Sequence, residues 1–329
     1  MRIGKVSEPV LKRSVLKEIA YDNPAVIKGA GVALDSGVFA VPEGCYGVAT
    51  TDPITCVSTD LAEFAVAAVL NDMAVTGATA TGLLVTALLP AQYGESDLKQ
   101  LMRRLNALAA ENEVVILGGH TETTTAVNRP VLSLTAVGYR EKETVFDLTQ
   151  CKPGMDIVMT KGIGIEATAI LARERKAELE NRFAPFFMDQ CRDFIQMLSV
   201  VPECKIAKKM AAAAMHDVSE GGVLGALWEL GACAQTGVEV DFKKIPVYQE
   251  TIEVCEQFDL NPYGAIGGGA ALFVTEDGAA LKTALNAADI RAEVIGKITT
   301  GTDRVIINEG ERRFLEPPKS DEISKLEGR

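Results

Sequence analysis

Residues 61–78, Leu-Ala-Glu-Phe-Ala-Val-Ala-Ala-Val-Leu-Asn-Asp-Met-Ala-Val-Thr-Gly-Ala, read as one Ala-rich helix over 61–75. Thr59 or Asp60 caps it and the Thr-Gly that follows ends it. Leu61, Ala65, Ala68 and Asp72 fall on one helical face, so a carboxylate sits in a stripe of small apolar side chains. A charge placed there is costly unless it is paired or holds a cation. That helix follows a predicted strand at 48–51 and precedes one at 83–89. A helix carrying Leu98, Leu101, Leu105 and Leu108 and predicted strands at 114–117 and 131–137 continue the alternation, which makes the fold class α/β, of the mixed α+β kind.

The chain of 329 residues is long enough for two domains. The charged, aperiodic stretch 139–153, running into Lys152-Pro153-Gly154, is the expected boundary, giving domains 1–148 and 149–312 and a polar tail 313–329 that is expected to fray from Pro317 onward. The second half is also mixed, with predicted strands at 157–160, 238–242, 271–275, 292–298 and 305–307 and several helices.

Lys and Arg number 33 against 45 Asp and Glu, a net charge of −12 that argues against a nucleic-acid binder. The seven cysteines show no C-x-x-C spacing and read as packed thiols of a reducing, cytoplasmic protein. The first twenty residues carry no secretory pattern, and the uncharged run 73–89 is too polar for a membrane span.

Three groups of residues carry chemistry. Asp35 lies in a glycine-flanked turn, Asp52 ends an apolar strand and Asp72 lies on the helix described above, so the three acids are candidate Mg²⁺ ligands; turn and cap roles for Asp35 and Asp52 are the other reading. Gly118-Gly119-His120-Thr121-Glu122, placed directly after a buried strand, reads either as a ligand-facing loop with His120 and Glu122 as catalytic groups or as a solvated turn. Gly162-Ile-Gly164 opens a helix and offers backbone donors for phosphate oxygens, but it lacks the rest of a dinucleotide-binding unit. There is no P-loop and no G-x-S-x-G.

In order and spacing, several segments resemble the AIR synthase superfamily, which includes HypE, thiamine-monophosphate kinase and selenophosphate synthetase. They are Leu34-Asp35-Ser36-Gly37, Thr50-Thr51-Asp52, Asn71 to Ala78, Gly118 to Thr121, Lys152-Pro153-Gly154 with Thr160 to Gly164, and His216 to Gly222. The spacing around Ile245-Pro246 and Leu260-Asn261-Pro262 is most similar to HypE.

The resemblance implies a two-domain fold whose N-terminal domain dimerises as a shared β-barrel. It also implies ATP and Mg²⁺ as cofactors, with Asp35, Thr51, Asp52, Asn71, Asp72, Gly118, Gly119, Thr121, Gly162 and Gly164 binding the nucleotide. The implied activity is ATP-dependent phosphoryl transfer, or activation of an amide oxygen, on a small-molecule or protein acceptor. A non-catalytic ATP-binding dimer that serves hydrogenase maturation or another assembly is the alternative. The last residues, Ser324 to Arg329, hold no cysteine, and Cys255 is the last thiol, so the expectation is that this chain does not modify itself as HypE does.

Overall fold

The computed structural model describes residues 1–143, 147–317 and 320–326. Residues 144–146 of the expected boundary stretch, and 318–319 and 327–329 of the expected tail, lie outside them. The chain divides into two compact units, one of Met1–Met73 with Ala78–Thr144 and the other of Ala74–Gly77 with Val145–Arg329.

In chain order the first unit contains β1 (Gly4–Lys5), α1 (Glu8–Val10), β2 (Val26–Lys28), β3 (Val38–Phe39), β4 (Cys45–Ile54), α2 (Leu61–Val75, all but its last two residues), β5 (Thr79–Leu89), α3 (Glu95–Glu111), β6 (Val115–Thr123) and β7 (Val131–Glu141). Strands pair in the order β1-β6-β5-β7-β4, an open five-stranded sheet, while β2 and β3 form a separate ribbon. β5 and β6 run parallel and the others antiparallel, because the connection between β5 and β6 is the helix α3 and not a tight turn.

Alternation divides the sheet into two faces. Ile54, Leu83, Val85, Ala87, Leu89, Leu132, Leu134 and Ala136 are buried on one face. Leu84 and Thr86, pointing the other way, are exposed.

The second unit contains β8 (Asp156–Thr160), α4 (Ile165–Glu174), α5 (Lys176–Glu180), α6 (Pro185–Asp193), α7 (Val201–Lys209), β9 (Ala214–Asp217), α8 (Gly222–Ala234), β10 (Gly237–Asp241), α9 (Gln249–Gln257), β11 (Ala271–Thr275), α10 (Gly278–Asn286), β12 (Ala292–Thr299), β13 (Arg304–Asn308) and β14 (Glu311–Phe314). Its seven strands are ordered β14-β13-β10-β12-β8-β11-β9. The central strands are apolar on both faces and feed two cores. Ile157, Met159, Leu272 and Val274 pack with Leu227 and Leu230 of α8, whereas Val158, Ala271 and Phe273 pack with Cys204 of α7 and Leu281 and Leu285 of α10. That double burial is why β8 and β11 read as continuous hydrophobic runs.

The expected fraying of the tail is corrected within its described residues. Leu315 and Leu326 are buried, and Leu326 joins a cluster with Leu179, Met188 and Cys255. Arg175 Nη2 donates to the Leu326 carbonyl at 2.6 Å, and the Asp321 carboxylate accepts from the Gly221 N–H at 2.8 Å. Two apolar anchors spaced eleven residues apart in a polar stretch leave no periodic signal, so the segment looked unstructured. On α9, Val254 and Cys255 are buried, and Ile252 is exposed.

Candidate functional site

β4 carries Thr50 and Asp52 two residues apart, so both side chains leave the strand on the face toward which Ile54 is buried. On α2, Asn71 is buried and Asp72 half-buried. The Thr50 hydroxyl donates to Asp72 Oδ2 at 2.6 Å, a short hydrogen bond to a charged acceptor that fixes the carboxylate's position. The structure thus brings Thr50 and Asp72 together where α2 meets β4, with Asp52 two residues along the same face of β4. Thr50 was missed as a site residue, although the alternation in Val48-Ala-Thr-Thr-Asp52 already places it beside Asp52.

Asp35 is not part of that group. It is exposed and lines a small cavity of about 100 Å³ with Gly118, Gly119, Thr121 and Val85. Asp52, Leu134, Val85 and Gly119 form one lateral row across β4, β7, β5 and β6, so the β6 end of the row is three strand spacings, about 14 Å, from β4. Among the described residues no group of three His, Cys, Asp or Glu side chains is placed to hold a metal ion.

The Gly-Gly-His-Thr-Glu stretch is not a loop, which corrects the expectation for residues 118–122. It is the second half of β6, paired with β5 from Gly118↔Leu84 to Thr123↔Leu89 after a bulge at Leu117. Thr121 and Thr123 are buried as the inward residues of this strand. Gly119 has φ +150°, and a Cβ there would lie 1.9 Å from the Val85 carbonyl, so close approach of β5 and β6 accounts for this glycine without a ligand.

His120 and Glu122 sit opposite Thr86 and Leu88 and face the open side of the sheet, with His120 Nε2 3.1 Å from Glu122 Oε2. Thr51 lies on that same open face, its hydroxyl donating to the Leu134 carbonyl at 3.0 Å and accepting from Thr135 at 2.9 Å. His120 and Glu122 are therefore on the opposite face of the sheet from Asp52 and from Thr50, which holds Asp72.

In the second unit, Gly162 and Gly164 are also explained by packing. A Cβ on Gly162 would lie 3.0 Å from the Tyr248 ring, and Gly164, at φ +61°, would bring one 2.7 Å from Thr251 Cγ2. The first turn of α4 is engaged internally, with Ala167 N–H donating to the Ile266 carbonyl at 3.0 Å. Lys161, between strand and glycine turn, was not anticipated. Its ammonium donates to the carbonyls of Met197, Ser199 and Gly269 at 2.8, 2.6 and 2.9 Å and lies 2.6 Å from the fully buried Glu203 carboxylate. Burial pulls the Lys161 pKa below its ordinary value against the opposing pull of Glu203. His216, on the edge strand β9, pairs with Glu229 of α8 at 2.9 Å.

Comparisons with known proteins agree with this architecture. The family model described as AIR synthase related protein, N-terminal domain, matches residues 33–139, and the one described as AIR synthase related protein, C-terminal domain, matches residues 152–308. The carbamoyl dehydratase HypE of Cupriavidus necator is 25 % identical over 275 residues, covering 81 % of this chain and 75 % of its own. Escherichia coli HypE, a hydrogenase maturation protein of known structure, is 18 % identical and superposes with a TM-score of 0.82 over 97 % of this chain and 100 % of its own. HypE solved in complex with ATP is 19 % identical, with a TM-score of 0.78 over 96 % of both chains. The two family models together span most of the sequence, and this chain belongs to the AIR synthase related protein family.

Proposed function

We propose that this protein is an ATP-dependent enzyme that transfers the γ-phosphoryl group to an acceptor, or uses it to activate an amide-type oxygen so that the oxygen leaves as phosphate. The acceptor is a small molecule or a protein partner. The observation that carries the reading is the Thr50, Asp52 and Asp72 group. Asp72 is held by a 2.6 Å hydrogen bond from Thr50 at a helix–sheet junction of the family's N-terminal domain, and Asp52 leaves β4 on the same face as Thr50. The comparisons support ATP as the nucleotide, since a similar fold is known as HypE bound to it.

Mg²⁺ fits these donors. It is usually held by one or two carboxylates and by the phosphates themselves, not by a closed protein cage, so two acids are enough for it. In this reading Asp52 and Asp72 hold the ion, Thr50 orients Asp72, and Asp35 reaches the nucleotide separately. When bound, Mg²⁺ neutralises phosphate charge, which is most of what phosphoryl transfer asks of a protein besides positioning.

A homodimer is part of the proposal. The open face of the first unit's sheet leaves Leu84 37 % exposed beside Thr86, His120 and Glu122, a surface that a second copy would cover. His120 and Glu122 belong to that surface in this reading and not to the acids' side of the sheet.

The test is ATP binding and turnover. Release of phosphate that requires Mg²⁺ and rises with a carbamoyl or other amide acceptor is expected, and binding of Mg-ATP without turnover in the presence of any such acceptor favours a non-catalytic assembly partner instead.

A further inference from the structure

The second unit holds a cavity of about 410 Å³, within the usual range for small-molecule sites. Its walls come from the start of α8 (Leu224), the ends of β13 and β14 (Asn308, Phe314) and the 261–264 loop (Tyr263), with Phe242 behind. Phe242 and Tyr263 stack with ring centroids 4.3 Å apart, and Phe314 is 70 % exposed on an edge strand. Burying that ring against a ligand would remove apolar surface that folding has left in water.

The polar groups at the cavity sort into used and unused. Glu322 accepts from the Asn261 N–H at 2.9 Å and from Lys325 at 2.6 Å, and Arg313 donates to Glu311 at 3.0 Å, so these charges are already paired. Two groups remain. Among the described residues neither the Tyr263 hydroxyl nor the Asn308 carboxamide makes a hydrogen bond. Burial pushes the Tyr263 phenol upward, keeping it a neutral O–H donor. A phenol and a carboxamide supply donors and acceptors but no charge.

We propose that this cavity binds an uncharged planar heteroaromatic molecule, its ring lying against Tyr263 and Phe314 and its polar edge hydrogen-bonded to the Tyr263 hydroxyl and the Asn308 carboxamide. Flat apolar walls select the ring, and among the described lining residues every charge is already paired, which selects against ionised ligands. The site is made wholly of second-unit residues and contains none of the acids assigned to Mg-ATP, so it does not depend on the nucleotide reading.

The experiment uses the full chain and three probes of equal shape: nicotinamide (neutral), benzoate (anionic) and benzamidine (cationic). Saturation-transfer NMR should give a saturable nicotinamide signal, with the two charged probes about tenfold weaker or more. Phe314→Ala, at an exposed position that folding does not need, and Asn308→Ala should each weaken nicotinamide about threefold or more, and Leu224→Trp, which fills the cavity, should remove the signal. Thermal melts of the variants report that they are folded, and Phe314→Ala keeps the test sharp should Leu224→Trp fail to fold. Absence of nicotinamide binding, equal binding of all three probes, or a signal unchanged in folded Phe314→Ala and Asn308→Ala overturns the proposal. So does displacement of nicotinamide by competing Mg-ATP, since that would make the cavity a nucleotide site.

Discussion

Asp72→Asn changes one atom at the centre of the proposed Mg-ATP site while leaving its shape in place. The asparagine Oδ1 still accepts the Thr50 hydroxyl that Asp72 now takes at 2.6 Å, so the helix–sheet junction should persist with a stability change of about 1 kcal/mol or less. Nucleotide binding should respond far more. Unit charges 4 Å apart at an effective dielectric near 20 interact by about 4 kcal/mol. Asp72 is half-buried, and solvent reaching it reduces that to about 2–3 kcal/mol. The expected loss of Mg-ATP affinity is therefore roughly 30- to 150-fold. Titration calorimetry with ATP, with and without Mg²⁺, measures this directly. Thr50→Val, which removes only the orienting hydroxyl, should cost about tenfold or less. Equal Mg-ATP affinity in wild type and Asp72→Asn, both folded, would refute the assignment of this carboxylate to the ion.

Light scattering at micromolar concentration should give twice the chain mass of 35.1 kDa, and Leu84→Lys on the open sheet face should shift it toward the monomer; a wild-type mass near 35.1 kDa contradicts the dimer. Thiol titration should find Cys233 fast and Cys151, Cys191 and Cys255 slow, because burial pushes the last three up to about 12, and incubation with ATP and a carbamoyl donor should leave no adduct on any of the seven. The Glu95 carboxyl, held down to about 2 by hydrogen bonds from Arg13 and Ser14, is expected to add an acid-side step to the stability curve. Its folded pKa lies below the ordinary 4.5, so its contribution is present above pH 4.5 and is lost as pH falls through about 2. Glu95→Gln should flatten the curve in that window, and an unchanged curve would show that the contact does not couple to folding.

Where a local pattern and the buried face coincide, the sequence was enough. The helix at 61–75 was legible to the residue because an apolar run lies between Asp60 and Gly77, and β11 at 271–275 because it is apolar on both faces. β6 was cut short at Leu117 because the glycine pair and the polar His-Thr-Glu-Thr read as a turn. It continues because Thr121 and Thr123 fill buried positions next to β5, a pairing between segments some thirty residues apart in sequence. The bulge at Leu117 then decides which face each later side chain takes, and no composition or spacing rule announces it. That is why a loop reading of 118–122 does not show that His120 and Glu122 face away from Asp52. Lys161 and Glu203 escaped for a related reason: a buried ion pair joining residues 42 apart has no local signature.

The central claim is that this chain binds Mg-ATP through Asp52 and Asp72 and spends it on an amide-type acceptor. Phosphate release from ATP by the full chain, measured in phosphate-free buffer with a neutral amide acceptor added or withheld, tests it most directly. The account predicts release that needs Mg²⁺, increases with the acceptor and is lost in Asp72→Asn. No Mg-ATP binding by the folded wild type in calorimetry, or release unaffected by Asp72→Asn, would contradict it.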